Sequence, residues 1–295
     1  MEAGARDGAR ALIWGLKRLP GELRVGAPLA ELTTFRIGGP SWALFYPATV
    51  EALGEAISWA RGLGIPWKVL GRGSNVLFPD RGFPGLVVGT SFLRGKAVRD
   101  GELVVEAGTP LGELVSEGFW FLAGIPGSVG GALVMNAGTR AGEIGTWVNW
   151  VEVLSGRGEV RRLTGEECGF SYRDSRLRAL GLPVLRAGLR RPGGVGTAPW
   201  KILALRRATQ PLTAPSAGCV FRNPDQAPAG WLIDRAGRKG LRQGDAMVST
   251  RHANFIVNLG RASAADVLAL IDRIRDRVLR LFGVWLELEL EVVTL

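Results

Sequence analysis

Cysteine, lysine and histidine are all scarce in this chain. Cys168 and Cys219 are its two cysteines, which give neither a disulfide framework nor a metal-ligand spacing and fit a reducing compartment. Lysine stands only at positions 17, 68, 96, 201 and 239, and histidine only at 252. No internal repeat and no low-complexity tract interrupts the sequence. A long uncharged run does occur, from Gly118 to Met135, and its length approaches a short membrane span. Its glycines and Pro126 make a continuous helix a poor choice, so the span is rejected. The opening residues include Glu2, Arg6, Asp7 and Arg10 ahead of a short apolar patch, which is not the pattern of a signal peptide. The expectation is a cytoplasmic protein.

What is present bounds the answer further. At 295 residues, 46% hydrophobic and 22% charged, the chain can bury a good core and divide into two or three domains. Its formal net charge is +10, nearly all from arginine, which favours an acidic partner. The basic residues are scattered, without the clustered patch of a nucleic-acid binder. A phosphorylated small molecule is the better expectation, with no nucleic acid and no membrane as partner.

Residues 124–138, G-I-P-G-S-V-G-G-A-L-V-M-N-A-G, stand out. Ser128 and Asn136 are the only polar side chains among closely spaced glycines. Such a loop either forms a tight buried turn or lets backbone approach an anion such as a diphosphate. A second glycine loop, G-R-G-S-N-V-L at 71–77, follows the strand expected at Trp67–Leu70. It lacks the third glycine of a dinucleotide fingerprint, since Val76 stands there, and more strand follows where a helix is required. It is therefore an ordinary strand-to-strand turn or a phosphate loop presenting Gly73, Ser74 and Asn75.

Elsewhere the pattern predicts a strand at 33–40, T-T-F-R-I-G-G-P, running into a glycine turn, and another at Ala43–Tyr46. Thr49 is expected to cap a helix burying Leu53, Ala56, Ile57 and Ala60. Thr109 is expected to cap a helix with Pro110 at its first position, burying Leu111, Leu114 and Val115. Further strands are expected at Leu86–Val88, Leu103–Ala107, Val148–Leu154 and Glu159–Leu163. The composition R-P-G-G-V-G-T-A-P-W at 191–200 reads as a linker. Beyond it, 229–237 reads as a short helix and Asn254–Asn258 as a strand. Ser263 and Asp266 form a capping box opening a helix to about Leu281, with Val267, Leu270, Ile271, Ile274, Val278 and Leu281 inward. Trp285–Val292 alternates leucines against Glu287, Glu289 and Glu291, a strand with three carboxylates on one face.

Seven of these stretches occur in one order: T-T-F-R-I-G-G-P, G-R-G-S-N-V-L, G-I-P-G-S-V-G-G-A-L-V-M-N-A-G, F-S-Y-R-D-S, P-S-A-G-C-V-F-R-N-P, A-G-W-L-I-D-R-A-G and H-A-N-F-I-V-N. Together they resemble the UDP-N-acetylenolpyruvoylglucosamine reductases, in the short type II branch. The resemblance implies an α+β fold, a vanillyl-alcohol-oxidase-type FAD-binding domain followed by a smaller α+β substrate domain. The expected partition is an extension over 1–29, the FAD domain over 30–192 and the substrate domain over 193–295.

The resemblance also implies non-covalent FAD, lined by Gly71, Arg72, Gly73, Ser74 and Asn75 and by Ile125, Pro126, Gly127, Ser128, Gly130, Gly131 and Ala132. NADPH is then the co-substrate, the organic substrate is UDP-N-acetylglucosamine enolpyruvate, and no metal is required. Hydride passes from flavin N5 to the enol ether, and the carbanion formed needs a cation near its carboxylate and a proton donor. By motif, Arg173 sits by that carboxylate and Glu289 is the catalytic carboxylate, with Glu287 as the neighbour confusable with it. The family's usual serine proton donor is replaced by Cys219. A free thiol, with a pKa of about 8.5, is a stronger acid than a serine hydroxyl. Arg222 and Asn223 match positions contacting the nucleotide, and His252 contacts substrate or is a structural histidine. The competing readings are another FAD oxidoreductase of the same fold and a non-catalytic nucleotide-binding protein.

Overall fold

The computed structural model describes residues 3–156, 158–193 and 198–294. Residues 194–197 of the linker-like stretch lie outside the described residues. The chain forms two compact units. The first comprises 1–27, 41–72 and 84–203; the second comprises 28–40, 73–83 and 204–295. The C-terminal unit thus takes two segments from the N-terminal third of the chain, which no composition shift in the sequence marks.

The first unit holds two larger sheets beside the short pair Gly138–Thr139 and Gly142–Glu143. In one, Gly21–Val25, Ser41–Pro47, Phe83–Gly89 and Trp67–Leu70 lie in that order, with the last two parallel. The helix Val50–Gly62 covers this sheet, and the Thr49 hydroxyl accepts the Ala52 N–H to cap it. Leu53, Ala56, Ile57 and Ala60 are buried as the period predicts. The other sheet is antiparallel throughout, in the order Val160–Thr164, Val148–Leu154, Val184–Leu189, Glu102–Glu106 and Lys96–Arg99. Glu152 is buried in its middle, where Arg162 and Arg186 bind the carboxylate. Burial would raise its pKa, but these hydrogen bonds prevail and hold it below the usual carboxylate value.

In the second unit, Arg242–Gln243, Ala246–Val248 and Ile256–Asn258 make a small antiparallel sheet. The helices Ala229–Arg235 and Ala264–Phe282 accompany it. Phe35, Ile37 and Leu77, from the two borrowed segments, share one core with Phe221, Ile233, Val248, Leu270 and Ile274. The long helix opens with the expected capping box. Asp80, also borrowed, adds a second cap by accepting the N–H groups of Ala264 at 2.8 Å and Ala265 at 3.2 Å. Leu281, expected inward, is exposed, because the helix ends one residue later and Gly283 turns the chain away at φ 68°.

Three further expectations change. Residues 33–40 are irregular, because Thr34 and Phe35 give their backbone and side-chain groups to neighbouring segments in place of a ladder. The helix Leu111–Val115 has Pro110 at its N-cap, and the Thr109 side chain makes no cap bond. Val115 is only partly buried. The C-terminal alternation is strand only at Glu291–Val292, which pairs in parallel with Val76–Leu77. Leu286 and Leu290 are buried as expected, whereas Leu288 is partly so.

Candidate active site

In the first unit, the two glycine-rich stretches meet. Gly71 closes the strand Trp67–Leu70, and a Cβ built there would collide with the Ser128 hydroxyl. Glycine at 71 is thus what lets the two loops approach. Gly130 lies against Ala107, whose Cβ would be 2.9 Å from an added methyl. The N–H groups of Val129 and Gly130 are committed to the carbonyls of Thr109 at 2.9 Å and Ala107 at 2.8 Å. The loop therefore does not present an unbroken row of outward N–H groups. Ser128 is 2% exposed, and its Oγ has no hydrogen-bond partner among the described residues. A buried hydroxyl left so is a group awaiting an acceptor. Arg72, Pro126 and Gly131 are exposed, Ile125 and Gly127 half-buried, and Ala132 buried.

The same stretch holds Arg173. Asn136 is buried with φ 44° and uses all of its amide. Its Nδ2 donates to the Glu143 carboxylate at 2.9 Å and to the Ser171 carbonyl at 2.8 Å; its Oδ1 accepts the Gly145 N–H at 3.0 Å. The Ser175 hydroxyl donates to the Val134 carbonyl at 2.7 Å. F-S-Y-R-D-S is thereby pinned at both ends to the segment that follows the glycine loop. At its tip Arg173, itself at φ 55°, donates from Nη2 to the Gly138 carbonyl at 2.8 Å and lies 3.9 Å from Glu143. Its side chain is 20% exposed, and Nη1 lies 3.5 Å from the Asn136 carbonyl, so backbone holds the guanidinium at the loop tip.

The second unit brings the other candidates together. Gly73 adopts φ 59°, and its α-carbon packs where a Cβ would lie 2.8 Å from Thr33 Cα. Thr34 clamps two motifs, donating from N–H to the Gly73 carbonyl at 3.0 Å and from Oγ1 to the Ser216 carbonyl at 2.7 Å. Asn75 grips the C-terminal segment. Its Nδ2 donates to the Glu289 carbonyl at 2.9 Å, and its own carbonyl accepts the Glu291 N–H at 3.1 Å. On the other side, the Glu289 N–H donates to the Val220 carbonyl at 2.9 Å and the Arg222 N–H to the Glu287 carbonyl at 2.9 Å. Cys219 is thus one residue from a backbone bond to Glu289. Glu287 is exposed and Glu289 partly buried.

Asn254, buried, holds this arrangement from behind: Oδ1 accepts the Phe221 N–H at 2.9 Å and Nδ2 donates to the Phe221 carbonyl at 2.8 Å. His252, partly buried, accepts the Asn254 N–H on Nδ1 at 3.3 Å and packs edge-on against Phe255. Burial lowers its pKa, and Lys239 lowers it further. Asn223 accepts the Ala229 N–H on Oδ1 at 3.0 Å, capping the helix Ala229–Arg235. Arg222 is half-buried. Cys168 is fully buried in the first unit, and burial pushes its thiol up to about 11. Among the described residues no cluster of His, Cys, Asp and Glu could hold a metal, and no helix is long and apolar enough to cross a membrane.

Asn136, Thr34, Asn75 and Asn254 place the candidates, and sequence reasoning singled out only Asn75 and, as a lone polar residue, Asn136. The available signal was the type: a single amide inside an apolar run needs partners, and those partners are backbone.

The profile described as "FAD binding domain" matches residues 42–164, and the one described as "UDP-N-acetylenolpyruvoylglucosamine reductase, C-terminal domain" matches 210–293. The UDP-N-acetylenolpyruvoylglucosamine reductase of Heliobacterium modesticaldum is 44% identical over 280 residues, 90% of this chain and 89% of that protein. That of Moorella thermoacetica is 44% identical over 295 residues, 94% of this chain and 98% of its own. The crystal structure of the Thermus caldophilus UDP-N-acetylenolpyruvylglucosamine reductase superposes with a TM-score of 0.75 at 40% identity, over 94% of this chain and 100% of that one.

Proposed function

The chain belongs to the UDP-N-acetylenolpyruvoylglucosamine reductase family, and on that premise we propose that it reduces UDP-N-acetylglucosamine enolpyruvate to UDP-N-acetylmuramate with electrons from NADPH. It is an FAD-dependent oxidoreductase of peptidoglycan synthesis, with a vanillyl-alcohol-oxidase-type FAD-binding domain and an α+β C-terminal domain. The FAD-bearing part is the first unit and the substrate-bearing part the second. It acts in the cytoplasm, where both NADPH and UDP-sugars are supplied.

The cradle fits the cofactor. Gly71 and Ser128 approach closely, and the Ser128 hydroxyl is buried without a partner among the described residues, as a donor to a diphosphate oxygen would be. When held there, FAD would supply two-electron chemistry, with NADPH as the source and the enol-ether double bond as the hydride acceptor. The chain's own groups handle the charge and the proton. Arg173, held by the Gly138 carbonyl, faces the substrate carboxylate and stabilises the negative charge that develops beside it. Cys219 donates the proton to the adjacent carbon, a task for which a thiol is a stronger acid than a hydroxyl. Glu289 orients and polarises the same end of the substrate. Arg222 and Asn223 take the nucleotide end, and His252 lines the substrate unit as a neutral imidazole.

The observation that carries this reading is the bond from the Glu289 N–H to the Val220 carbonyl, closed from the other side by Asn75. It sets the carboxylate and the thiol on paired backbone beside the glycine loop. Steady-state oxidation of NADPH by the yellow purified protein tests it. Oxidation should depend on the enolpyruvyl sugar nucleotide with little oxygen consumed. Rapid oxygen consumption without that substrate would instead mark an oxidase of the same fold.

A further inference from the structure

Two side chains of the first unit share one uncommon property. Thr90 and Ser128 are each 2% exposed, and the hydroxyl of each has no hydrogen-bond partner among the described residues. An orphaned buried hydroxyl is destabilising, and two in one neighbourhood need a common cause.

The register shows that they are neighbours. The strands Trp67–Leu70 and Phe83–Gly89 run parallel, with Leu70 opposite Gly89. The Thr90 N–H donates to the Leu70 carbonyl at 3.0 Å, which carries the pairing one step on and sets Thr90 beside Gly71. Laterally paired residues direct their side chains to the same face of a sheet. A Cβ on Gly71 would point into the Ser128 hydroxyl, so the Thr90 side chain leaves the sheet on the Ser128 side. Gly89, one residue earlier, faces the other way, and its Cβ would meet the Tyr46 ring. Residues 107–109 fill the remaining side: Gly108 is packed against the Thr90 backbone, and Thr109 and Ala107 accept the N–H groups of Val129 and Gly130. The N–H groups of Thr90, Val129 and Gly130 are thus committed to backbone, and among the buried side chains described in this unit these two hydroxyls lack a partner.

We propose that Thr90 is a further cofactor ligand, its hydroxyl donating, with that of Ser128, to the diphosphate of the bound FAD. This rests on the flavoenzyme reading above and adds a residue to it from outside both glycine-rich motifs. Two hydroxyl donors on either side of Gly71 suit an acceptor with several oxygens, and a glycine between them admits it closely.

Thr90→Val tests this, since it keeps the shape and removes the hydroxyl. FAD affinity is read by titrating the flavin-stripped full-length protein, and thermal midpoints are taken with and without FAD. The Kd for FAD should rise by about tenfold or more, the loss expected for one hydrogen bond to a charged acceptor. Thr90→Ser should bind as the wild type does. The midpoint of the flavin-free protein should be unchanged or higher, because the removed hydroxyl has no partner in the protein to lose. An FAD affinity within twofold of wild type would overturn the role of Thr90 and leave the flavoenzyme reading intact. So would a lowered flavin-free midpoint that Thr90→Ser restores, which marks a folding role. A wild-type protein that binds no FAD would overturn both. Where Thr90→Val yields no folded protein, Thr90→Ala against Thr90→Ser supplies the same comparison.

Discussion

At the scale of single residues, the chemistry rests on side chains whose type the sequence displayed and whose surroundings it did not. His252 is the chain's one histidine, so its imidazole Hε1 resonance has no counterpart from another histidine. Burial and the charge of Lys239 lower its pKa. The midpoint of its NMR titration should therefore fall below the usual value of about 6.5; a midpoint at or above that value would contradict the burial seen. The sign for stability follows. The unfolded chain takes up this proton first, so the imidazole removes stability as pH falls below about 6.5 and ceases to do so below the folded pKa. Cys219 and Glu289 were visible as motif positions, but which of Glu287 and Glu289 is turned inward was not. Alternation places both on one face, and it is the fold that leaves Glu287 exposed and Glu289 partly buried.

At the scale of elements, helices were the most legible. The 3.6-residue period and the caps at Thr49 and Ser263 placed Val50–Gly62 and Ala264–Phe282 closely. Segments whose hydrogen bonds go to distant partners were misread. T-T-F-R-I-G-G-P has strand-like residues, yet Thr34 serves Gly73 and Ser216, and the Asn258 side chain takes the Phe35 carbonyl at 3.1 Å. The F-S-Y-R-D-S loop makes the best element-level test. Asn136→Ala removes three hydrogen bonds from a buried site and leaves a residue at φ 44° that alanine disfavours. It should destabilise the protein by about 2–4 kcal/mol and lower substrate reduction more than flavin reduction, because Arg173 loses its support. Denaturant melts and the two half-reaction rates check this; equal loss in both half-reactions would separate Asn136 from Arg173.

At the scale of the whole chain, order in sequence is a poor guide to which residues fold together. A boundary near 193 follows composition, yet the second unit also contains 28–40 and 73–83. Phe35, Ile37 and Leu77 lie in its core, Asp80 caps its longest helix, and Val76–Leu77 is the partner strand of Glu291–Val292. A fragment of residues 193–295 should accordingly lack a cooperative thermal transition by near-ultraviolet circular dichroism, and a sharp melt would show that the borrowed segments are dispensable. The Glu289 N–H bonds to the carbonyl of Val220, the residue after Cys219, and the proposed proton donor is Cys219. Anaerobic sequential-mixing stopped flow addresses that role most directly: enzyme is first reduced with NADPH, then mixed with the enolpyruvyl sugar nucleotide while flavin absorbance is followed. Wild type should bleach and then recover its colour. Cys219→Ala should bleach at the wild-type rate and recover more than about tenfold more slowly, as the loss of a general acid requires. Recovery at the wild-type rate would contradict the account.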